Sequence, residues 1–229
     1  MRTPRLTPLD LSAVAVLLAS AAVLVWLRPQ PTSPSTRGDE LPREPVALTQ
    51  DDEVLGDRTA GVAVIEYSDF TCPYSARFAR ETLPILRARY VVPGRVLWVF
   101  RHLPLSDLHR FAPIAAEGAV CAGRQRMFWE MHDALFTNVV PLDDTVLSST
   151  AVKVGLDMDS FRKCLNGGTG EVIARHLRSA RLLAVRGTPT FLAGTLSTDQ
   201  RVRVSSRIRG LRPVDAFVAV LDDLVVLER

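Results

Sequence analysis

The sequence has no long block of charge of one sign, no internal repeat and no acidic or basic tail. Its formal net charge of +3 is spread over 229 residues. That field is too weak to argue for nucleic-acid binding, and none is expected. It suits a protein beside a membrane surface about as well. Histidine is scarce, and His102, His109, His132 and His176 show no ligand spacing with one another or with the cysteines. No metal site and no cofactor are expected. The glycine-rich stretch Asn166-Gly167-Gly168-Thr169-Gly170 lacks the Gly-Lys-Ser/Thr ending of a phosphate loop and reads as a helix stop and turn. Cysteine is limited to three residues, Cys72, Cys121 and Cys164. In an exported chain an odd number points to one pair plus one free or intermolecularly reactive thiol.

Long apolar runs are also few, and the one at residues 11–27 stands out. It carries no charge, and only Ser12 and Ser20 interrupt it. As a helix it would reach roughly 26 Å at ~1.5 Å per residue, just short of a ~30 Å hydrocarbon core. Arg2 and Arg5 precede it and Trp26 sits at its far end, which orients the N-terminus to the cytoplasm, although Arg28 weakens the asymmetry. A cleaved signal peptide competes, because Ala19-Ser20-Ala21 has the small-x-small form of a processing site. The apolar run continues past that site, which favours an uncleaved anchor. Either case places the rest of the chain outside the cytoplasm, where disulfides persist. The expected organisation is a cytoplasmic stretch 1–10, a transmembrane anchor 11–27, a proline-rich spacer 28–54 and a folded domain 55–229. The implied localisation is the cell membrane, single-pass, with the C-terminal domain extracytoplasmic.

At 47% hydrophobic residues, the chain has ample material for a core. Residues 62–67 form a short β-rich run, and Ser68-Asp69-Phe70-Thr71-Cys72-Pro73 follows at once. Proline at the first turn of a helix loses nothing, since its missing N–H would be unpaired there. A helix is predicted over 73–90, stopped by Pro93-Gly94, and then a strand over 96–100. This is a βαβ unit. Helical spacing recurs over 111–122, 127–136, 144–154, 158–165 and 170–185. Strands near 190–193 and 201–208 and a helix over 214–227 close the chain. The arginines at 201, 203, 207 and 209 read as a solvated edge strand, and Trp129 with Met127, Phe128 and Met131 as core packing.

The helix start at Cys72 is where chemistry would sit. Unpaired N–H groups and the helix dipole favour an anion, so a thiolate there is stabilised. Thiol–disulfide exchange runs through the thiolate.

Glu66-Tyr67-Ser68-Asp69-Phe70-Thr71-Cys72-Pro73-Tyr74 resembles the active-site segment of the DsbA-like thioredoxin family, and Gly187-Thr188-Pro189-Thr190-Phe191 resembles its cis-proline loop. Ala115-Ala116-Glu117 to Cys121 and Phe128-Trp129-Glu130-Met131-His132 are similar to its inserted helical domain. The resemblance runs from about Leu55 to the C-terminus. It implies an α/β thioredoxin fold with a helical insertion near 104–180, and a cis bond before Pro189 close to the Cys72 sulfur. It further implies that the Thr188 backbone pairs with a substrate strand. Pro73 and Tyr74 would flank that substrate. Glu66 matches the family's buried acid, with a surface carboxylate at a strand end as the alternative.

The chain departs from the family's Cys-Pro-x-Cys at Ser75. An alcohol does not attack a disulfide, so Cys72 cannot cycle through an internal bond with residue 75. What remains is a monothiol that isomerises, exchanges with a small thiol or a redox partner protein, or holds mixed disulfides, with Ser75 donating a hydrogen bond to the thiolate that keeps its pKa low. Its partners would be exported cysteine-containing proteins or peptides. The alternative is a degenerate module that keeps the peptide groove without turnover. Cys121 and Cys164 are expected to pair. Two unpaired core cysteines, or one of them resolving Cys72, are the other possibilities.

Overall fold

Val62–Ser68 is buried at every position and forms the central strand, β3. A strand covered on both faces must be apolar throughout, and this one departs from that at Glu66 and at its end. In the computed structural model, which describes residues 40–137 and 141–227, β3 lies in a six-stranded sheet. The strands are β1 (Val46–Ala47), β2 (Glu53–Leu55), β3, β4 (Val96–His102), β5 (Thr190–Leu196) and β6 (Arg201–Arg209). Their order is β1-β6-β5-β3-β4-β2. Only β3 and β4 run parallel, joined by the helix that starts after Cys72. The predicted anchor at 11–27 lies outside the described residues. Among the described residues no helix is long and apolar enough to cross a membrane.

Helix α1 covers residues 73–91 and alternates between α and wider π turns. The π turn Phe78–Thr82 sits just before Pro84. Proline has no N–H to give and its ring crowds the preceding turn, so a wider turn lets the helix pass it. α1 lays Phe78, Leu83, Leu86 and Tyr90 on the sheet face made by Val62, Val64, Trp98 and Phe191. The C-terminal helix α7 (Val214–Leu227) adds Phe217, Leu221 and Leu224 to that core. Each fully buried aromatic or leucine side chain here contributes about 1.5–3 kcal/mol of transfer free energy.

The opposite face (Ala63, Ile65, Leu97, Val99, Leu192) is covered by Ala180 and Leu177 of helix α6 (Gly170–Leu182). Four helices between β4 and β5 complete the chain: α2 (Ala112–Arg124), α3 (Phe128–Thr137), α4 (Asp144–Val154) and α5 (Met158–Leu165). The starts of α4 and α5 come from local chemistry: the Asp143 and Asp157 side chains accept hydrogen bonds from Val146 N and Ser160 N. With α6 these helices make the helical subdomain. Phe70 and Phe100 reach from the sheet side into its core against Phe128, Met131 and Phe136. Cys121 of α2 and Cys164 of α5 form a disulfide, which leaves Cys72 as the free cysteine.

The sheet begins earlier than the expected boundary at residue 55. β1, which pairs with β6, lies within the stretch assigned to the spacer, and β2, which pairs with β4, begins there. The physical reason is a buried ion pair between Asp52, in the turn that precedes β2, and Arg101 of β4. Asp52 accepts from Arg101 Nε and Nη2, each at 2.8 Å, and the same guanidinium donates to Ala47 O at 2.8 Å.

Candidate active site

Cys72 caps the N-terminus of α1 with an extended backbone. Its N–H donates to Asp69 O at 3.1 Å and its carbonyl accepts the first intrahelical bond, from Ala76 N at 2.9 Å. The loop before it is shaped by Asp69, a residue the sequence analysis assigns no role. One carboxylate oxygen accepts from Thr71 N and Thr71 Oγ1, at 2.8 and 2.6 Å. The other accepts from Leu105 N at 2.9 Å and meets His109 Nδ1 at 2.8 Å. The first half of that arrangement is an Asx turn, and Asp-x-Thr is the signal that could have found it. The second half depends on residues far along the chain and leaves no local mark.

The Thr188–Pro189 peptide bond is cis. The Cys72 thiol donates to Thr188 O at 3.4 Å, so the two loops that resemble the family's motifs meet at the sulfur. Thr190 Oγ1 donates to Gly187 O and Gly210 N donates to Pro189 O, which fixes the proline loop at the start of β5. Cys72 is only 4% exposed, and it lines a cavity of about 520 Å³. Thr71, Pro73, Arg80, Phe111 and Leu142 share that cavity. Tyr74 stands out into solvent at 61% exposure beside it.

With Cys72 as a thiol, Ser75 makes no hydrogen bond to the sulfur. Its hydroxyl is buried and without a hydrogen-bond partner among the described residues, while the sulfur turns to the Thr188 carbonyl instead. Glu66 is fully buried, so the surface-carboxylate alternative is excluded. Trp98 Nε1 donates to its Oε2 at 2.9 Å, and its Oε1 has no partner among the described residues. Burial pushes the carboxyl up from its ordinary range, and His132, Trp98 and Ser68 act against that rise without reversing it. Among the described residues, no group of histidines, cysteines and acids is placed to hold a metal ion.

The arrangement can do one kind of chemistry plainly. A sulfur nucleophile sits at a helix N-terminus, beside an open groove and a backbone carbonyl at a strand end, with no second thiol in reach of it through residue 75.

Comparison with known proteins agrees with this geometry. A family model described as Thioredoxin matches residues 48–206. The curated Na(+)/H(+) antiporter NhaA 1 of Salinispora arenicola is 43% identical over 141 residues, 61% of this chain and 21% of that protein. The matched part is thus about a fifth of that relative's length. Among solved structures, Wolbachia pipientis alpha-DsbA1 superposes with a TM-score of 0.69 at 25% identity, covering 80% of this chain and 94% of that one. Oxidised BdbD from Bacillus subtilis gives a TM-score of 0.66 over 80% of this chain and 99% of that one. At 16% identity it speaks for the fold alone.

Proposed function

The chain belongs to the thioredoxin family, on its DsbA-like side, and from that premise we propose that it is a thiol–disulfide exchange enzyme working through Cys72 alone. The observation that carries the reading is the meeting of the Cys72 sulfur, which lines the cavity, with Thr188 O of the cis-proline loop. In the proposed step the Cys72 thiolate attacks one sulfur of a substrate disulfide. A Cys72–substrate mixed disulfide forms, and the other substrate sulfur leaves as a thiolate. A thiolate of the same substrate, or of a small thiol or partner protein, then attacks the substrate sulfur and releases Cys72. With the substrate's own thiolate the cycle isomerises and no net oxidation occurs. With an external thiolate the new disulfide joins that thiol to the substrate sulfur, and the sulfur that left first stays reduced.

Pro73, Tyr74 and the Thr188–Pro189 edge would hold an extended segment of an exported cysteine-containing protein or peptide. The proposed setting is extracytoplasmic and membrane-tethered. The apolar run at 11–27 and the disulfide between Cys121 and Cys164 support it, because structural disulfides persist outside the cytoplasm. The antiport named for the curated relatives is no part of this proposal, since the match covers 21% of the first of them.

The test is trapping. The full chain is mixed with a peptide carrying an internal disulfide, quenched by alkylation, and the adduct mapped. The expected result is a mixed disulfide at Cys72 that forms faster than with an unstructured cysteine peptide and is absent in Cys72→Ala. Adduct formation no faster than that of the free peptide would reduce the site to a peptide-binding groove and sink the enzyme reading.

A further inference from the structure

The cavity that Cys72 lines carries basic groups of one sign. Arg80, His109 and Arg110 share its wall, and among the described residues no aspartate or glutamate does. Cys72, Ala76 and Arg80 stand four residues apart on α1 and its cap, so one face of that helix brings the sulfur and a guanidinium to the same space. At ~1.5 Å per residue, the two positions lie roughly 12 Å apart along the helix. The rest of the wall is largely apolar, with Phe70, Phe111 and Leu142 in it.

Both arginines are steadied and keep donors to spare. Arg80 Nη1 donates to Phe136 O at 2.6 Å, which ties its head group to the helical subdomain. Arg110 lays its guanidinium over the Phe111 ring, 5.3 Å from the centroid. Neither forms an ion pair with a carboxylate among the described residues. By contrast Arg77 meets Glu81, Arg89 meets Asp222 and Arg162 meets Asp159. The Asp69 carboxylate in the loop before Cys72 is buried and already taken up by Thr71, Leu105 N and His109. A guanidinium offers only donors, in a fork that matches a carboxylate. A concave wall with two such forks and no acid repels a cationic segment and draws an anionic one.

We propose that this cavity selects acidic sequence: the partner of Cys72 is a peptide segment with an aspartate or glutamate three or four residues from its reacting cysteine, the carboxylate being received by Arg80 and Arg110. The spacing comes from the roughly 12 Å along α1, which an extended chain covers at ~3.3 Å per residue. The assignment rests on the reading of Cys72 as the exchanging thiol and adds the substrate class to it. In open solution an acid beside a disulfide repels an attacking thiolate, so the two arginines would invert the ordinary preference.

The test compares two peptides, each with one cysteine held in a mixed disulfide with an aromatic thiol. One carries glutamate, the other glutamine, three and four residues away on both sides. The Cys72 thiolate attacks the peptide sulfur, joins the peptide and releases the aromatic thiolate, whose absorbance gives the rate. With the full chain at low salt the glutamate peptide is expected to react on the order of 5-fold faster, the upper end of what exposed ion pairs give. That advantage shrinks as salt rises. With a free cysteine peptide in place of the protein, the glutamate peptide is expected to be the slower. Arg80→Gln with Arg110→Gln, both at exposed positions, should bring the ratio of the two rates to about one or below. A merely structural role would slow both peptides and leave their ratio. A wild-type ratio of one or less, or a ratio that the paired variant leaves unchanged, would overturn the proposal. Binding of the S-methylated peptides to Cys72→Ala, read by fluorescence anisotropy, measures the same preference without sulfur chemistry. An inert Cys72 with the glutamate peptide bound more tightly would refute the exchange enzyme and keep the subsite, whereas equal binding would refute the subsite.

Discussion

Removing the Asp52 carboxylate should destabilise the fold far more than an ordinary ion pair would. Asp52 and Arg101 are 0% and 4% exposed at their side chains. The carboxylate takes two guanidinium N–H groups at 2.8 Å and Thr49 N at 2.7 Å, and His176 Nε2 lies 3.3 Å away. Asp52→Ala leaves a guanidinium behind the sheet, with only Ala47 O, Tyr67 Oη and Ser179 Oγ to receive it. Stranding one partner of a buried pair costs about 3–5 kcal/mol, against a total near 5–15 kcal/mol for a domain. For a domain of this size that corresponds to a fall in Tm of roughly 6–20 °C. The pH dependence has a definite sign. Burial raises the Asp52 carboxyl, but the Arg101 and His176 hydrogen bonds outweigh it and hold the group well below the ordinary carboxylate range. The stabilisation is therefore fully present above the unfolded value of ~3.9 and is lost as pH falls through the folded one. Urea unfolding of wild type and Asp52→Ala at neutral pH, repeated on the acid side, measures both effects. Asp52→Leu with Arg101→Met should recover much of the loss, since an apolar pair of similar volume is often as stable as a buried ion pair. A loss under about 1 kcal/mol at neutral pH, the range of exposed pairs, would refute the reasoning.

Two further outcomes are expected. Burial, with the Asp52 charge second, pushes the Glu53 carboxyl up to about 7. A raised acid binds protons in the folded state that the unfolded chain has lost. Stability should therefore fall by up to ~1.4 kcal/mol per pH unit between the unfolded value and about 7. Glu53→Gln should flatten that slope in denaturant titrations, and an unchanged slope would contradict the assignment. Replacing Cys121 and Cys164 by serine opens a cross-link between residues 43 apart, worth on the order of 4 kcal/mol in the chain-entropy model. The double variant should melt lower in calorimetry while still forming the Cys72 adduct, because the bridge lies in the helical subdomain and the sulfur on the sheet side.

Much of the site is legible in the sequence. A seven-residue strand running into Cys-Pro, and a Thr-Pro loop before another strand, are local patterns, and the structure brings them together at one sulfur. The helices at 144–154, 158–165 and 214–227 keep their predicted limits because caps and apolar spacing act over a few residues. β1 and β2 are hidden for the opposite reason. Strands of two and three residues in a polar stretch carry no periodic signal. They are held by Arg101, which is 49 positions from Asp52. The hydrogen bond expected from Ser75 is not formed while Cys72 is a thiol, and the sulfur's own hydrogen goes instead to a carbonyl 116 positions away, which no local pattern announces. His132 carries no signal as a metal ligand, and the rings that bury it and the Asp133 carboxylate on its Nδ1 appear only in the fold.

The carbonyl of Thr188 has one more consequence. While Cys72 is a thiol, that oxygen receives its hydrogen. Once the sulfur loses the proton, two electron-rich atoms face each other across the same gap and attraction turns to repulsion. Bond formation to a substrate sulfur removes the negative charge but returns no hydrogen to the oxygen. The loop that begins β5 thus feels three distinct conditions of one sulfur, and an extended peptide laid along it would meet a different edge in each. Grip and chemical progress are then readings of a single contact, with no hinge or second site needed to connect them.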